Sequence, residues 1–183
     1  MGNRCVVPGA RDEANSKEGH AIQGGDMGER QVSVMINAPP EIVFGLYTDA
    51  GQVREWLSGA REVHTVGPTD QPGGRAVIVY RWPFKMAAEV LEVERPTRHV
   101  QRLKELLGLV TCTTTARFRR VEGGTELRLG MAYRVAGGPI GRIVDSRVGD
   151  EMVTTNRRDL ARLKALAEEQ TGIRWKTPQA GVE

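Results

Sequence analysis

Few side chains in this sequence have the chemistry to act on another molecule, and they are scattered along it. Arg81 stands near the end of a strand-like run. A guanidinium there could bind a carboxylate or enolate oxygen, or lie at a strand rim in water or against an acid. Tyr133 could donate a hydrogen bond inward, or leave its hydroxyl in water at a rim. Asn156 could read a carbonyl or close a local network. His99 and Glu92 face each other on the strand register derived below. Such a pair can serve as acid and base, and a structural ion pair is the simpler reading. Cys112 reads as a small buried hydrophobe rather than a nucleophile.

Other chemistries lack their residues. His20, His64 and His99 have no metal-ligand spacing, and no H-E-x-x-H, C-x-x-C, G-x-S-x-G or phosphate-loop motif occurs. Gly137-Gly138-Pro139-Ile140-Gly141 lacks the Lys-Ser/Thr of a phosphate loop and reads as a turn before a helix. No cofactor or metal is expected. Cys5 and Cys112 are the only cysteines, too few for a disulfide framework. The longest apolar runs, such as Ala76–Tyr80, fall far short of the ~20 residues of a membrane span. Arg4, Arg11, Asp12 and Glu13 interrupt any signal-peptide core, and Val6 stands where myristoylation after Met1-Gly2 wants Ser or Thr. The expected compartment is cytoplasmic.

The 183 residues are 39% hydrophobic and carry 26 Lys+Arg against 23 Asp+Glu, a net charge of +3. That suits one globular domain with a real core, and the weak excess does not suggest a nucleic-acid arm. Residues 1–28 are polar, Gly-rich and aperiodic, and read as a disordered tail. Residues 29–170 hold the domain, and 171–183 read as a loose C-terminal tail.

Within the domain, Gln31–Ile36 alternates as a strand with Val32, Val34 and Ile36 on one face. Ala38-Pro39-Pro40-Glu41 opens a helix that Asp49 ends, and Gln52–Leu57 forms a second short helix carrying Trp56. Strand-like runs follow near Glu62–Val66, Arg75–Trp82, Lys85–Val93, Arg98–Leu106, Leu109–Val121 and Gly124–Val135. Tight breaks between them predict sequential antiparallel hairpins. Gly141–Gln170 has helical period, with Val144, Val148, Met152, Leu160, Leu163 and Leu166 in one stripe. The economical packing is an α+β fold, a curved antiparallel sheet of about seven strands around the long C-terminal helix.

This order resembles the helix-grip fold of the START-like (SRPBCC) superfamily. That group includes polyketide cyclases and dehydrases, plant hydrophobic-ligand carriers and lipid-transfer domains. The resemblance covers about Glu29–Gln170. It rests on Ala38-Pro39-Pro40-Glu41-Ile42-Val43-Phe44, Asp49 and Trp56, and on Val90 through Pro96. It also rests on Phe118 with Gly124-Thr125-Glu126-Leu127, and on Asn156-Arg157-Arg158 with Leu160, Leu163 and Lys164. These motifs speak for a fold, and one fold hosts many functions.

Turn lengths predict a register. A two-residue turn at Glu122-Gly123 pairs Phe118 with Leu127 and Cys112 with Tyr133. Turns at Leu107-Gly108, Glu94–Thr97 and Pro83-Phe84 then pair Gln101 with Thr114, Ala88 with Leu103, and Val79 with Ala88. The inward set is Val77, Val79, Met86, Ala88, Val90, Leu103, Cys112, Thr114, Ala116, Phe118, Leu127, Leu129, Met131 and Tyr133, and Arg81 points in. A slip of one residue would put Tyr80 and Trp82 inside instead. The outward set holds Lys85, Arg98, Arg102, Lys104, Arg117, Arg119, Arg128 and Arg134, opposed by Glu89 and Glu126.

Small and polar inward members, with Thr155 and Asn156 interrupting the helical stripe, suit a ligand cavity. The expected ligand contacts are Trp56, Val79, Arg81, Ala88, Gln101, Leu103, Cys112, Thr114, Met131, Tyr133, Val148, Met152 and Asn156. The expected partner is a small hydrophobic or amphipathic molecule, lipid or polyketide-like. By the resemblance, a cyclase or dehydrase acting on a bound chain is the alternative, with Arg81, Tyr133 and Asn156 as candidates. A nucleic-acid or protein surface on the basic sheet face is a third reading. Few aromatics interleave there for base stacking, so a solvated face is expected and nucleic acid is not. The sequence sets no oligomeric state.

Overall fold

The structure, a computed structural model, describes residues 28–80, 84–105, 107–136 and 138–172, and only the backbone of 138–146. Cys5, Arg81, Trp82 and Gly137 lie outside the described residues, as do the other residues up to Met27 and the chain after Gly172.

The chain runs β1 (Gly28–Ile36), α1 (Pro40–Thr48), α2 (Val53–Trp56), β2 (Glu62–Val66), β3 (Arg75–Val79), β4 (Lys85–Glu94), β5 (Arg98–Glu105), β6 (Val110–Val121), β7 (Gly124–Val135) and α3 (Gly138–Gln170). The seven strands form one antiparallel sheet in the order β1-β7-β6-β5-β4-β3-β2. Each hairpin pairs with the next, and β1 closes the far edge against β7. Pro40 starts α1 where its missing N–H costs nothing. Asp49 ends α1, its carboxylate accepting from the Gly51 N–H and the Gln52 amide, both at 2.8 Å. The α3 helix packs along β1 and over α1 and α2, with Leu163 and Ala167 fully buried and Leu160 nearly so.

The predicted register holds from β7 back to the first half of β4. Phe118 faces Leu127 and Cys112 faces Tyr133. Gln101 faces Thr114, and Ala88 faces Leu103. The β6–β7 turn needs a left-handed residue, and Gly123 supplies it at φ 80°. Buried Thr125 then donates to the Ala38 carbonyl at 2.6 Å, pinning the β1–α1 link to this hairpin.

Two expectations fail. The β3–β4 turn is not two residues long. Val79 pairs with Lys85, Ile78 with Met86 and Ala76 with Ala88, and the Tyr80 N–H bonds the Phe84 carbonyl at 3.0 Å. The shift is odd in number, so Val77 and Val79 turn outward while Ala76 and Ile78 turn inward. The second failure is at the β4–β5 turn, where Glu94 pairs with Arg98 and a bulge falls between Val90 and Glu92. A shorter turn gives back one residue, and the bulge absorbs it. His99 therefore pairs with Val93, and Glu92 turns out to meet Arg98 at 2.7 Å. The proposed His99–Glu92 pair does not exist.

Aromatic rings knit α1 to the sheet. Phe44 and Tyr47 each meet Phe118 edge-on, with centroids 5.3 and 5.5 Å apart, and Tyr47 stacks on Trp56 at 5.4 Å. Such pairs add about 0.5–1.5 kcal/mol each beyond area burial. The Trp56 indole N–H also reaches the Leu46 carbonyl at 3.2 Å.

Tyr133 is wholly buried, its ring against Gly28 of β1 and its hydroxyl against Gly149 of α3. Glycine in a helix normally costs about 1 kcal/mol relative to alanine, and at Gly149 it makes room for the phenol. Gly45, on the exposed side of α1, has open space where its Cβ would be. The two positions should respond oppositely to alanine. In urea unfolding, Gly45→Ala should gain about 0.5–1 kcal/mol, and Gly149→Ala should lose about 1–3 kcal/mol. A stabilised Gly149→Ala protein would show that the ring has room to spare.

Candidate functional site: a neutral cavity under the sheet

Inward positions of four neighbouring strands converge beneath α1 and α2. Strands β3 and β4 contribute the facing pair Ala76 and Ala88, with Ile78 and Val90. Two alanines side by side leave the sheet surface hollow. Strand β5 contributes His99, Gln101 and Leu103, and β6 contributes Thr114. Tyr47 and Thr48 come from α1, Val53 and Trp56 from α2, and Asn156 from α3. Together they line a partly open cavity of about 100 Å³. No Asp, Glu, Lys or Arg is among the described residues that line it.

One wall is polar. His99 is 3% exposed and its Nε2 lies 3.1 Å from the Thr69 carbonyl oxygen. A carbonyl only accepts, so the proton sits on Nε2 and Nδ1 is left as an acceptor. Nδ1 is buried without a partner among the described residues, while the Thr114 hydroxyl and the Gln101 side chain lie at the buried Tyr47 phenol. Burial pushes the Tyr47 phenol up to about 12, against the pull of the neighbouring Thr114 and Gln101 side chains. The Thr69 hydroxyl donates to the Thr48 carbonyl at 2.7 Å, which ties the β2–β3 loop to α1 at the same point. At the α3 end, the Asn156 amide donates to the Met152 carbonyl at 2.8 Å and touches the Met131 sulfur at 3.3 Å. Nearby Asp159 is 2% exposed and accepts from the Ser58 N–H at 2.8 Å. Burial raises its pKa despite that bond. Tyr80 lines the cavity with its phenol raised first by burial and then by the Asp159 charge.

Of the residues expected to meet a ligand, Trp56, Ala88, Gln101, Leu103, Thr114 and Asn156 stand at the cavity. Val79 is turned to the other face by the β3 shift, and Arg81 lies outside the described residues. Cys112, Met131 and Tyr133 keep their inward register but are packed into the core beside the cavity. The Cys112 thiol is pushed up to about 12 by burial, as befits an inert core thiol. Val148 and Met152 pack against the same core from α3. Sequence reasoning missed Tyr47, Ala76, Ile78 and His99. His99 was legible, since the predicted pairing of Gln101 with Thr114 already sets it opposite Ala116 on the inward face.

A larger space of about 620 Å³ is an open surface groove beside α1, lined by Glu41, Asp49, Asp70 and Arg95 among others. The outer sheet face neutralises much of its own charge. Glu126 takes both Arg119 and Arg128, Glu89 lies between Arg75 and Arg102, and Glu41 takes Arg120. Among the described residues no cluster of His, Cys, Asp and Glu is placed to hold a metal, and no helix is long and apolar enough to cross a membrane.

The seven-stranded sheet curved around a long C-terminal helix is the START-like helix-grip fold of the Bet v1 type. The chain belongs to the family described as polyketide cyclase / dehydrase and lipid transport, which matches residues 27–168. Solved structures share the fold at low identity. A Rhizobium leguminosarum protein is 16% identical with a TM-score of 0.63, covering 81% of this chain and 99% of its own. Ara h 8.0201 is 8% identical at 0.64, covering 79% and 99%. A norcoclaurine synthase point mutant from Thalictrum, bound to a transition-state analogue, is 13% identical at 0.62, covering 82% and 99%. A comparison with curated proteins finds no match.

The buried imidazole makes a pH prediction. Burial holds His99 below its ordinary 6.5, so the folded protein refuses a proton that the unfolded chain accepts. The stability His99 contributes is full above about pH 6.5 and is lost as pH falls below it. Urea midpoints from about pH 7.5 to about 5 should fall for the wild type and fall less for His99→Gln. Equal slopes would show that His99 is not held neutral.

Proposed function

We propose that this protein binds a small hydrophobic or amphipathic molecule in the cavity between the sheet and its helices. The observation that carries this reading is a hollow with one apolar wall and one polar wall, on which the buried Nδ1 of His99 has no partner among the described residues. Each buried polar atom without a partner costs about 1–3 kcal/mol, and a bound molecule removes that cost. The family includes lipid transport, which supports a binding role. A catalytic role finds less support. A phenol held near 12 and an imidazole kept neutral by burial offer hydrogen bonds more readily than proton transfer at neutral pH. Tyr133, a candidate for that chemistry, is packed under Gly149 rather than at the cavity.

Ala88 is 7% exposed and stands in the hollow floor, so Ala88→Leu should fill the cavity from within. Native mass spectrometry of the purified protein should show a co-purifying small molecule on the wild type and none on Ala88→Leu, with both folded by circular dichroism. A wild type that carries nothing, or a variant that carries the same molecule, would remove the cavity from the function.

A further inference from the structure

Three of the large hydrophobic side chains exposed among the described residues gather at one end of the sheet. Phe84 is 59% exposed, Leu107 74% and Leu109 54%. The ladder places them together. Phe84 directly precedes β4, Met86 pairs with Glu105, and Lys104 pairs with Thr111 across β6. The β3–β4 and β5–β6 connections therefore lie side by side, and from the end of β7 the Ala136 N–H reaches the Leu109 carbonyl at 2.7 Å. We propose that this end of the protein docks on the surface of an anionic lipid bilayer. Leu107, Leu109 and Phe84 enter the interface, and Lys85, Lys104 and Arg134 rest on the headgroups. None of these residues lines the cavity, so bilayer docking and cavity binding can fail separately.

The β5–β6 tip is built to leave water. Backbone N–H groups resist burial unless they are hydrogen-bonded. The Leu107 and Leu109 N–H groups donate to the Glu105 carboxylate at 3.0 and 3.3 Å, and the Gly108 N–H donates to the Glu105 carbonyl at 2.9 Å. One residue thus takes all three amide protons of the tip. Gly108, at φ 74°, makes the tight reversal this requires. A turn meant for solvent could leave these amides to water. Here their demand is met inside the protein while two leucines are turned out.

Charge names the surface they meet. Lys85 and Lys104 are exposed on the outward face, and Arg134 is half-buried there in the cross-strand row Lys104, Thr111, Arg134. None of the three has an ion-pair partner among the described residues. Arg98, Arg119 and Arg128, further along the same face, are all paired with glutamates. Apolar tips beside unpaired cations supply the two signals that anchoring at a bilayer interface needs. Long lysine stems can follow the leucines down while their ammonium groups stay at headgroup level. A protein partner fits less well. Lysine is depleted in protein interfaces, and a stable one takes about 20–30 residues a side, whereas this end offers two turn tips.

The test is co-sedimentation of the full chain with vesicles of phosphatidylcholine alone and of phosphatidylcholine with one-third phosphatidylglycerol. The wild type should bind the mixed vesicles at least about 10-fold more tightly, and about 1 M salt should release it. Leu107→Gln with Leu109→Gln should weaken that binding by about 10-fold or more. Lys85→Gln with Lys104→Gln should weaken it by about 5-fold per charge. All four side chains are exposed, so circular dichroism should be unchanged. Val66, 75% exposed, pairs with Arg75 at the opposite end of β3, and Val66→Gln should bind as the wild type does. Binding to neither vesicle, equal binding to both, or an equal loss in Val66→Gln would overturn bilayer docking. So would a dimer in analytical ultracentrifugation that Leu107→Gln with Leu109→Gln dissolves, since the tips would then belong to a second copy of the chain.

Discussion

The ladder between β6 and β7 fixes which side chains face inward from those two strands and from β5 beside them. It runs unbroken from the Val121–Gly124 pair to the Val110–Val135 pair. Because strand side chains alternate strictly, one pairing at the turn decides all the others. Cys112, Thr114, Ala116 and Phe118 face in, and β5 inherits that choice through its own pairing. The Thr125–Ala38 bond then carries the register to β1 and α1, which brings Tyr47 over Gln101 and Thr114. The polar wall of the cavity is thus a consequence of a tight turn at Glu122-Gly123.

Most of this architecture is written locally. Alternation in β1, Pro40 at a helix start, Asp49 at its end, and short turns between β5, β6 and β7 each act over a few residues. They can be read without knowing the whole. What escaped reading is what depends on compensation between distant parts. The bulge after Val90 exists because the Arg95–Thr97 turn is one residue short, and neither feature has a local signature. Its effect is large, since it turns a carboxylate out to Arg98 and leaves His99 inside without an acid. The β3 shift is of the same kind. A two-residue turn at Pro83-Phe84 would set Val77 and Val79 inward, whereas the longer connection turns Ala76 and Ile78 in and leaves the hollow at the smaller residue.

That hollow also explains the uneven quality of the packing. The end of the sheet under α3 is filled by Leu127, Phe118, Leu163 and Ala167, all nearly or fully buried. The end under α1 and α2 gives up packing to alanines and carries an imidazole nitrogen without a partner among the described residues. Proteins commonly accept such losses where they bind something. The same chain therefore has a part that holds the fold and a part that draws on the stability the first supplies.

The Thr69 carbonyl gives one surface loop authority over the interior. It reaches His99 from the β2–β3 connection, the kind of segment that tolerates insertion and change. As long as it accepts from Nε2, the imidazole shows the cavity a lone pair. A loop rebuilt so that this carbonyl moved away would free the proton to settle on Nδ1, and the wall would show a donor. The tautomer of His99 is thus selected by a residue acting through its backbone, where a comparison of side chains would not look for it.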